Sequence, residues 1–298
     1  MISPDETFDG TWPFAPRFST APGFRTHYVD EGHNEPIVCL HNEPTWDYLY
    51  RKFIPPLAET HRVIVPDHMG FGKSETLLDR EYTLRTHVAN LIAFLDDLGL
   101  ENITFVAQDW GGPMAGAYTV RHPERVKRLC LMNTILGYGG APPITDSPWF
   151  RWVRAGLEDG MFEEVLGNIG STVLSVMKIL GFENSAAIDD AWLRAYSGHF
   201  RTKADCKGAI EFPIDVAKGR IVGFVKEGFG GVPELKKKPA MLVEGMKDRA
   251  IPPEIAIADF RALYPNGPIV TLPNAGHFSQ EDAPETIVAL IRQFVQMT

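Results

Sequence analysis

The stretch Val106-Ala107-Gln108-Asp109-Trp110-Gly111-Gly112-Pro113 closes an apolar run that begins at Ile103 and enters a segment of helical character. Asp109 stands at the corner, and Ala107 and Gly111 flank it in the form small-x-acid-x-Gly. That is the nucleophile-elbow pattern with an aspartate where a serine commonly stands. Small flanking residues suit a tight, strained turn. A helix beginning near Gly112 would point free backbone N–H groups and its positive dipole end at the carboxylate, favouring the ionised form. Taken alone, Asp109 reads first as a helix N-cap; what lies elsewhere along the chain decides between the two.

Working outward, short buried runs alternate with amphipathic segments. Ile37 to Leu40, Arg62 to Val65, Ile103 to Gln108 and Leu129 to Met132 read as buried strands. Tyr48 to Ala58, Thr83 to Leu98 and Pro113 to His122 lie between them as helices, the second with Leu84, Val88, Leu91, Ile92, Leu95 and Leu98 on one stripe. This alternation calls for an α/β fold, a mostly parallel central sheet flanked by helical crossovers. After Asn133 about a hundred residues pass without a convincing strand, and Trp149 to Leu157, Met161 to Leu180 and Ala187 to Tyr196 read as helices. Strands return at Pro239 to Val243 and Ile269 to Leu272, with helices at Pro253 to Leu263 and Pro284 to Gln296. The expectation is a core of residues 1–133 and 235–298, with a helical cap, 134–234, inserted over the carboxyl ends of the strands, where ligands bind in such sheets.

Two further strand ends carry chemistry. Asn274-Ala275-Gly276-His277-Phe278 follows the last strand, and His277 there can serve as a general base if a carboxylate holds its tautomer. Glu244-Gly245-Met246-Lys247-Asp248-Arg249 follows the preceding strand and offers Asp248. The chain order acid nucleophile, acid, histidine is that of α/β-hydrolases with the nucleophile type changed. After the strand ending at Leu40 comes His41-Asn42-Glu43-Pro44-Thr45-Trp46. In such a fold this loop supplies one backbone N–H of an oxyanion hole and the residue after the nucleophile the other, which assigns Glu43 and Trp110.

Together, HNEPTWDYLYR, QDWGGP, GMKDR and AGHFSQEDAPE resemble the haloalkane dehalogenases of the α/β-hydrolase superfamily over most of the core, and Phe212-Pro213 in the insertion is more weakly similar. The resemblance implies an α/β-hydrolase fold with a helical cap, a catalytic triad of Asp109, His277 and Asp248, and no cofactor. It also implies a small apolar halogenated substrate, water and halide as partners. A carboxylate elbow attacks saturated carbon, expels the leaving group and forms an alkyl ester, which water activated by His277 then hydrolyses. The departing halide needs donors that bring no full charge, and the Trp110 indole N–H suits this. Many family members take a second donor from asparagine in His-Gly-Asn-Pro; others read His-Gly-Glu-Pro and use a cap tryptophan. Here Asn42 occupies the glycine position. Glu43 as an anion cannot donate, so the expected second donor is Trp152, ahead of Trp149, or Asn42 after a loop shift.

The nearest rival is an epoxide hydrolase, which uses the same aspartate and protonates its leaving alkoxide from cap tyrosines, with Tyr138 and Tyr196 as candidates. A fluoroacetate-type enzyme would carry arginine beside the nucleophile, where Trp110 stands. A silent hydrolase-fold binding protein would tend to lack a triad member. The net charge of -9, with Lys236-Lys237-Lys238 as the sole basic cluster, argues against a nucleic-acid partner. The acidic amino terminus, three sparse cysteines and lack of a long apolar run lead to the expectation of a cytoplasmic protein with no membrane partner. Gly70-Phe71-Gly72-Lys73-Ser74 fails as a phosphate loop because Asp67 stands where glycine is needed, and no spacing suggests a metal.

Overall fold

In a computed structural model of the chain, residues 1–140 and 147–298 are described. Eight strands, β1 Arg17–Ser19, β2 Thr26–Glu31, β3 Pro36–Leu40, β4 Arg62–Pro66, β5 Ile103–Gln108, β6 Val126–Met132, β7 Ala240–Gly245 and β8 Ile269–Leu272, form one sheet in the order β1-β2-β4-β3-β5-β6-β7-β8. From β4 to β8 every pairing is parallel, and β2 joins β4 and β1 antiparallel. Every residue of β3, β5 and β7 is buried. Helices cover both faces of such strands, which is why they read as unbroken apolar runs.

Strands β1 and β2, the antiparallel end of the sheet, escape the sequence reading. Thr-His-Tyr-Val-Asp-Glu of β2 mixes polar and apolar residues, yet its first four are buried. His27 spends its Nδ1 on Asp47 at 3.1 Å and Asp67 at 2.9 Å. Asp67 also accepts from the backbone N–H groups of Asp47 and Lys73. The glycine-rich turn that follows is therefore wrapped around a carboxylate: a Cβ on Gly72 would meet Asp67 at 2.4 Å.

In the core, α1 (Leu84–Asp97) is capped by Thr83, whose side chain accepts from the Thr86 N–H, and α2 (Gly111–Thr119) follows β5 directly. Among the described residues no strand lies between β6 and β7. That interval holds α3 Pro148–Asp159, α4 Met161–Leu166, α5 Ile169–Leu180, α6 Asp190–Ser197, α7 Lys207–Ala217 and α8 Arg220–Glu227. The single helix expected over Met161 to Leu180 is broken by Gly167-Asn168: a Cβ on Gly167 would lie 2.6 Å from the Glu163 carbonyl oxygen. Helices α9 (Pro253–Leu263) and α10 (Pro284–Met297) complete the core. No helix of the described residues is long and apolar enough to cross a membrane.

Candidate active site

Asp109 carries φ +47°, a left-handed conformation rare for a residue with a side chain. The turn is held by the Asp109 N–H donating to the Asn133 carbonyl at 3.2 Å and by the Asp109 carbonyl accepting from Gly112 N–H at 2.9 Å and Thr134 Oγ1 at 2.5 Å. The two glycines behind it are demanded by contact. A Cβ on Gly111 would lie 2.5 Å from the Leu40 carbonyl oxygen, and one on Gly112 2.0 Å from Thr134 Oγ1. The carboxylate thus projects at the carboxyl end of β5, 18% exposed, with the backbone N–H groups of Trp110 and Glu43 directed at it. Burial raises its pKa to about 6, the His277 charge and these two N–H groups limiting the rise.

Three strand ends converge here. His277 Nδ1 lies 2.9 Å from Asp248 Oδ2, and its Nε2 lies 3.9 Å from Asp109 Oδ2, a gap wide enough for one water to mediate. Asp248 is itself fixed: Oδ1 accepts from the N–H groups of Ala250 and Ile251, and Oδ2 from Asn133 Nδ2 at 3.0 Å. Burial pushes the imidazole pKa down, and the charge and hydrogen bond of Asp248 outweigh this, leaving it above its ordinary value.

A small chamber with about 20 Å³ of free space, room for a water, is lined by Glu43, Asp109, Trp110, Trp149, Phe150, Pro213 and His277 among others. A second, of about 40 Å³, shares Asp109, Trp110, Phe150 and Ile251 and extends along Pro113, Ile135 and Val216. Trp110 is stacked on Phe212, ring centroids 4.3 Å apart, and both Trp110 and Pro213 border the smaller chamber. Apart from the carboxyls and His277, these walls are mostly apolar.

The sequence model of the alpha/beta hydrolase fold matches residues 35–284. Haloalkane dehalogenase 2 of Mycobacterium tuberculosis is 33% identical, and the alignment covers 94% of each chain. The chain belongs to the haloalkane dehalogenase family. A further relative, the cis-3-alkyl-4-alkyloxetan-2-one decarboxylase of Shewanella oneidensis, is 29% identical over 97% of this chain and 91% of its own. Among solved structures, a tetrameric haloalkane dehalogenase from Paraglaciecola agarilytica superposes with a TM-score of 0.79 at 28% identity, covering 97% of this chain and 96% of that one.

Within this dehalogenase-family site, Asp109, Asp248, His277, Glu43 and Trp110 are brought together. Of the two residues expected as halide donors, Trp152 lies outside this group and Asn42 sits behind it, against His277. Trp152 is 39% exposed and stacks on Trp149, facing a larger, mostly apolar pocket with Val165, Val176 and Ile179 that also touches Trp149 and Asp248. It stands three residues, about 4.5 Å, further along α3 than Trp149, which does reach the chamber. Asn42 lines neither chamber; its Oδ1 accepts from Thr45 Oγ1 at 2.5 Å and its Nδ2 lies 3.3 Å from His277 Nε2. For Glu43, read from the sequence as an anion, burial and then the negative Asp109 beside it push the carboxyl well above its usual range, which favours the protonated form.

The cap tyrosines proposed for an epoxide hydrolase are likewise absent from the chamber walls. Tyr196 donates to Glu281 Oε1 at 2.6 Å, and Tyr138 packs on Phe229. Two contributors escaped the sequence reading. Gln108 places Nε2 3.2 Å from His277 Nε2 and donates to the His277 carbonyl at 3.0 Å. Asn133, at the end of β6, bridges Asp248 and Glu244. Their positions at strand ends level with Asp109 were the available signal.

Proposed function

We propose that this chain hydrolyses haloalkanes to an alcohol and halide through a covalent ester on Asp109. In the first step an Asp109 oxygen attacks the halogen-bearing carbon, the new C–O bond forms as the carbon–halogen bond breaks, and the bonding pair leaves with the halide. Trp110 donates its indole N–H to the departing ion. In the second step His277 Nε2 takes a proton from water as the water oxygen adds to the ester carbonyl. The Glu43 and Trp110 N–H groups stabilise the oxyanion; its collapse breaks the bond from the carbonyl carbon to the alkoxy oxygen as the His277 imidazolium returns its proton to that oxygen, releasing the alcohol and restoring the Asp109 carboxyl. Asp248 holds the imidazole in the tautomer with its proton on Nδ1 and stabilises the imidazolium that forms.

The observation that carries this reading is the placement of His277, 2.9 Å from Asp248 and 3.9 Å from Asp109 across a water-sized chamber, in a chain of this family. Neutral His277 fits a base, and an Asp109 with two N–H donors on it fits a nucleophile in its charged form above about pH 6.

The test is bromide released from 1-bromobutane and 1,2-dibromoethane by the purified protein, beside Asp109→Asn. Release that falls by about 10³-fold or more in the variant supports the ester route. Because one relative is named for an oxetanone decarboxylase, a cis-3,4-dialkyl oxetan-2-one and styrene oxide complete the panel. Alkene or diol without bromide would replace the dehalogenase reading with one in which oxygen leaves.

A further inference from the structure

We propose that the Glu43 side chain is a second catalytic donor to the leaving group, a neutral carboxylic O–H acting opposite the Trp110 indole. This rests on the dehalogenation just proposed and adds a residue to it.

The argument begins with placement. Glu43 is 4% exposed, borders the chamber that also touches Asp109, Trp110 and His277, and its Oε1 is buried with no hydrogen-bond partner among the described residues. An anion buried in this way would lack both water and a countercharge, and the cost would be large. Asp109 resolves the competition for one negative charge. It has two backbone N–H donors and His277 nearby, whereas Glu43 has burial and a carboxylate for a neighbour. The proton of the pair therefore resides on Glu43. A protonated carboxyl carries one O–H donor, so the residue that as an anion could only repel a halide can instead bind one.

Chemical balance places a limit on the role. The carbon–halogen electron pair goes to the halide, the Asp109 oxygen supplies the new bond, and the Glu43 proton stays on Glu43, because hydrogen halides are far stronger acids than a carboxylic acid. The interaction is a hydrogen bond that strengthens as charge develops on the leaving atom. Neither Asn42 nor Trp152 reaches the chamber, and Trp149 is the remaining neutral donor on its wall.

Substitution separates the side chain from the backbone N–H, which every variant keeps. Single-turnover halide release is measured with 1-chlorobutane and 1-iodobutane for the unaltered protein, Glu43→Gln, Glu43→Ala and Trp149→Phe. The isosteric glutamine keeps an N–H donor. The expected result is a loss of about 10²-fold in chloride release for Glu43→Ala, less than about tenfold for iodide, and within about fivefold of the unaltered rate for Glu43→Gln. Ester hydrolysis, followed as the later phase, should change little. Equal losses for chloride and iodide in Glu43→Ala, no loss at all, or a chloride-selective loss confined to Trp149→Phe would each overturn the assignment. Absence of halide release from the unaltered protein would instead overturn the dehalogenase reading beneath it.

Discussion

The amide nitrogen of Asn42 lies 3.3 Å from Nε2 of His277, on the nitrogen opposite the one paired with Asp248. The amide orientation is pinned because its oxygen is occupied by Thr45 Oγ1. Gln108 brings a second amide nitrogen to 3.2 Å of the same atom. Two N–H donors on Nε2 favour the neutral imidazole and oppose the imidazolium, against the upward pull of Asp248.

The Asn42→Gly variant should therefore bind a proton on His277 more readily. Losing one hydrogen bond of about 0.5–1.5 kcal/mol to the neutral form raises the histidine pKa by about 0.4–1 unit. As the base must be neutral, the acid limb of the kcat profile should move to higher pH by that amount. A limb that stays in place, measured with a brominated substrate, would show that Asn42 acts on packing alone.

Removing the base should stall the second step and leave the first intact. In His277→Phe, Asp109 still attacks carbon, and the ester has no activated water to release it. Incubation with 1-bromobutane should give stoichiometric bromide and an intact mass raised by one butyl group, lost when Asp109 is also replaced by Asn. An unmodified mass after a demonstrated bromide burst would exclude the covalent route.

The parallel half of the sheet and the strand-end cluster were legible because both rest on strong local signals: buried strands are continuous apolar runs, and an acid or histidine just past one lies at the ligand-binding edge. What was missed depends on tertiary setting. β2 reads as polar because His27 and Asp67 pair with each other inside the protein, and no local period records that. Glu43 reads as an anion because the upward push on its carboxyl comes first from burial and then from Asp109, 66 positions away, and neither is visible in the local sequence. The choice between Trp149 and Trp152 turns on where one helix begins relative to the chamber, and both fit the same stripe of α3.

That geometry separates the two tryptophans functionally. Trp149 borders both the inner chamber and the outer apolar pocket of about 580 Å³, whereas Trp152 touches the outer pocket. Trp149→Ala removes a wall that keeps bulk water from the reacting carbon, and kcat should fall by about tenfold or more. Trp152→Ala should leave kcat within about twofold and act on KM, since it alters apolar contact remote from the leaving group. Steady-state rates on a short and a long 1-bromoalkane check this, and a kcat loss in Trp152→Ala matching that of Trp149→Ala would contradict the placement.

Behind the oxyanion loop, His41, His68 and His87 are all buried, with the His41 and His68 rings 4.0 Å apart. His87 packs at 4.4 Å from the Phe212 ring, and its Nε2 has no protein partner among the described residues. Burial, and then the neighbouring His68, hold its pKa well below the ordinary value. Below about pH 6.5 the unfolded chain takes up a proton at this residue that the folded chain refuses, so the contribution of His87 to stability is complete above 6.5 and is lost as pH falls. Replacing it by leucine removes this linkage. The unfolding free energy of His87→Leu relative to the unaltered protein should therefore rise by about 1.4 kcal/mol for each pH unit below 6.5. Urea denaturation at pH 7.5, 6.0 and 5.0 measures that difference, and a difference independent of pH would mean that His87 takes up its proton within the fold as readily as in the unfolded chain.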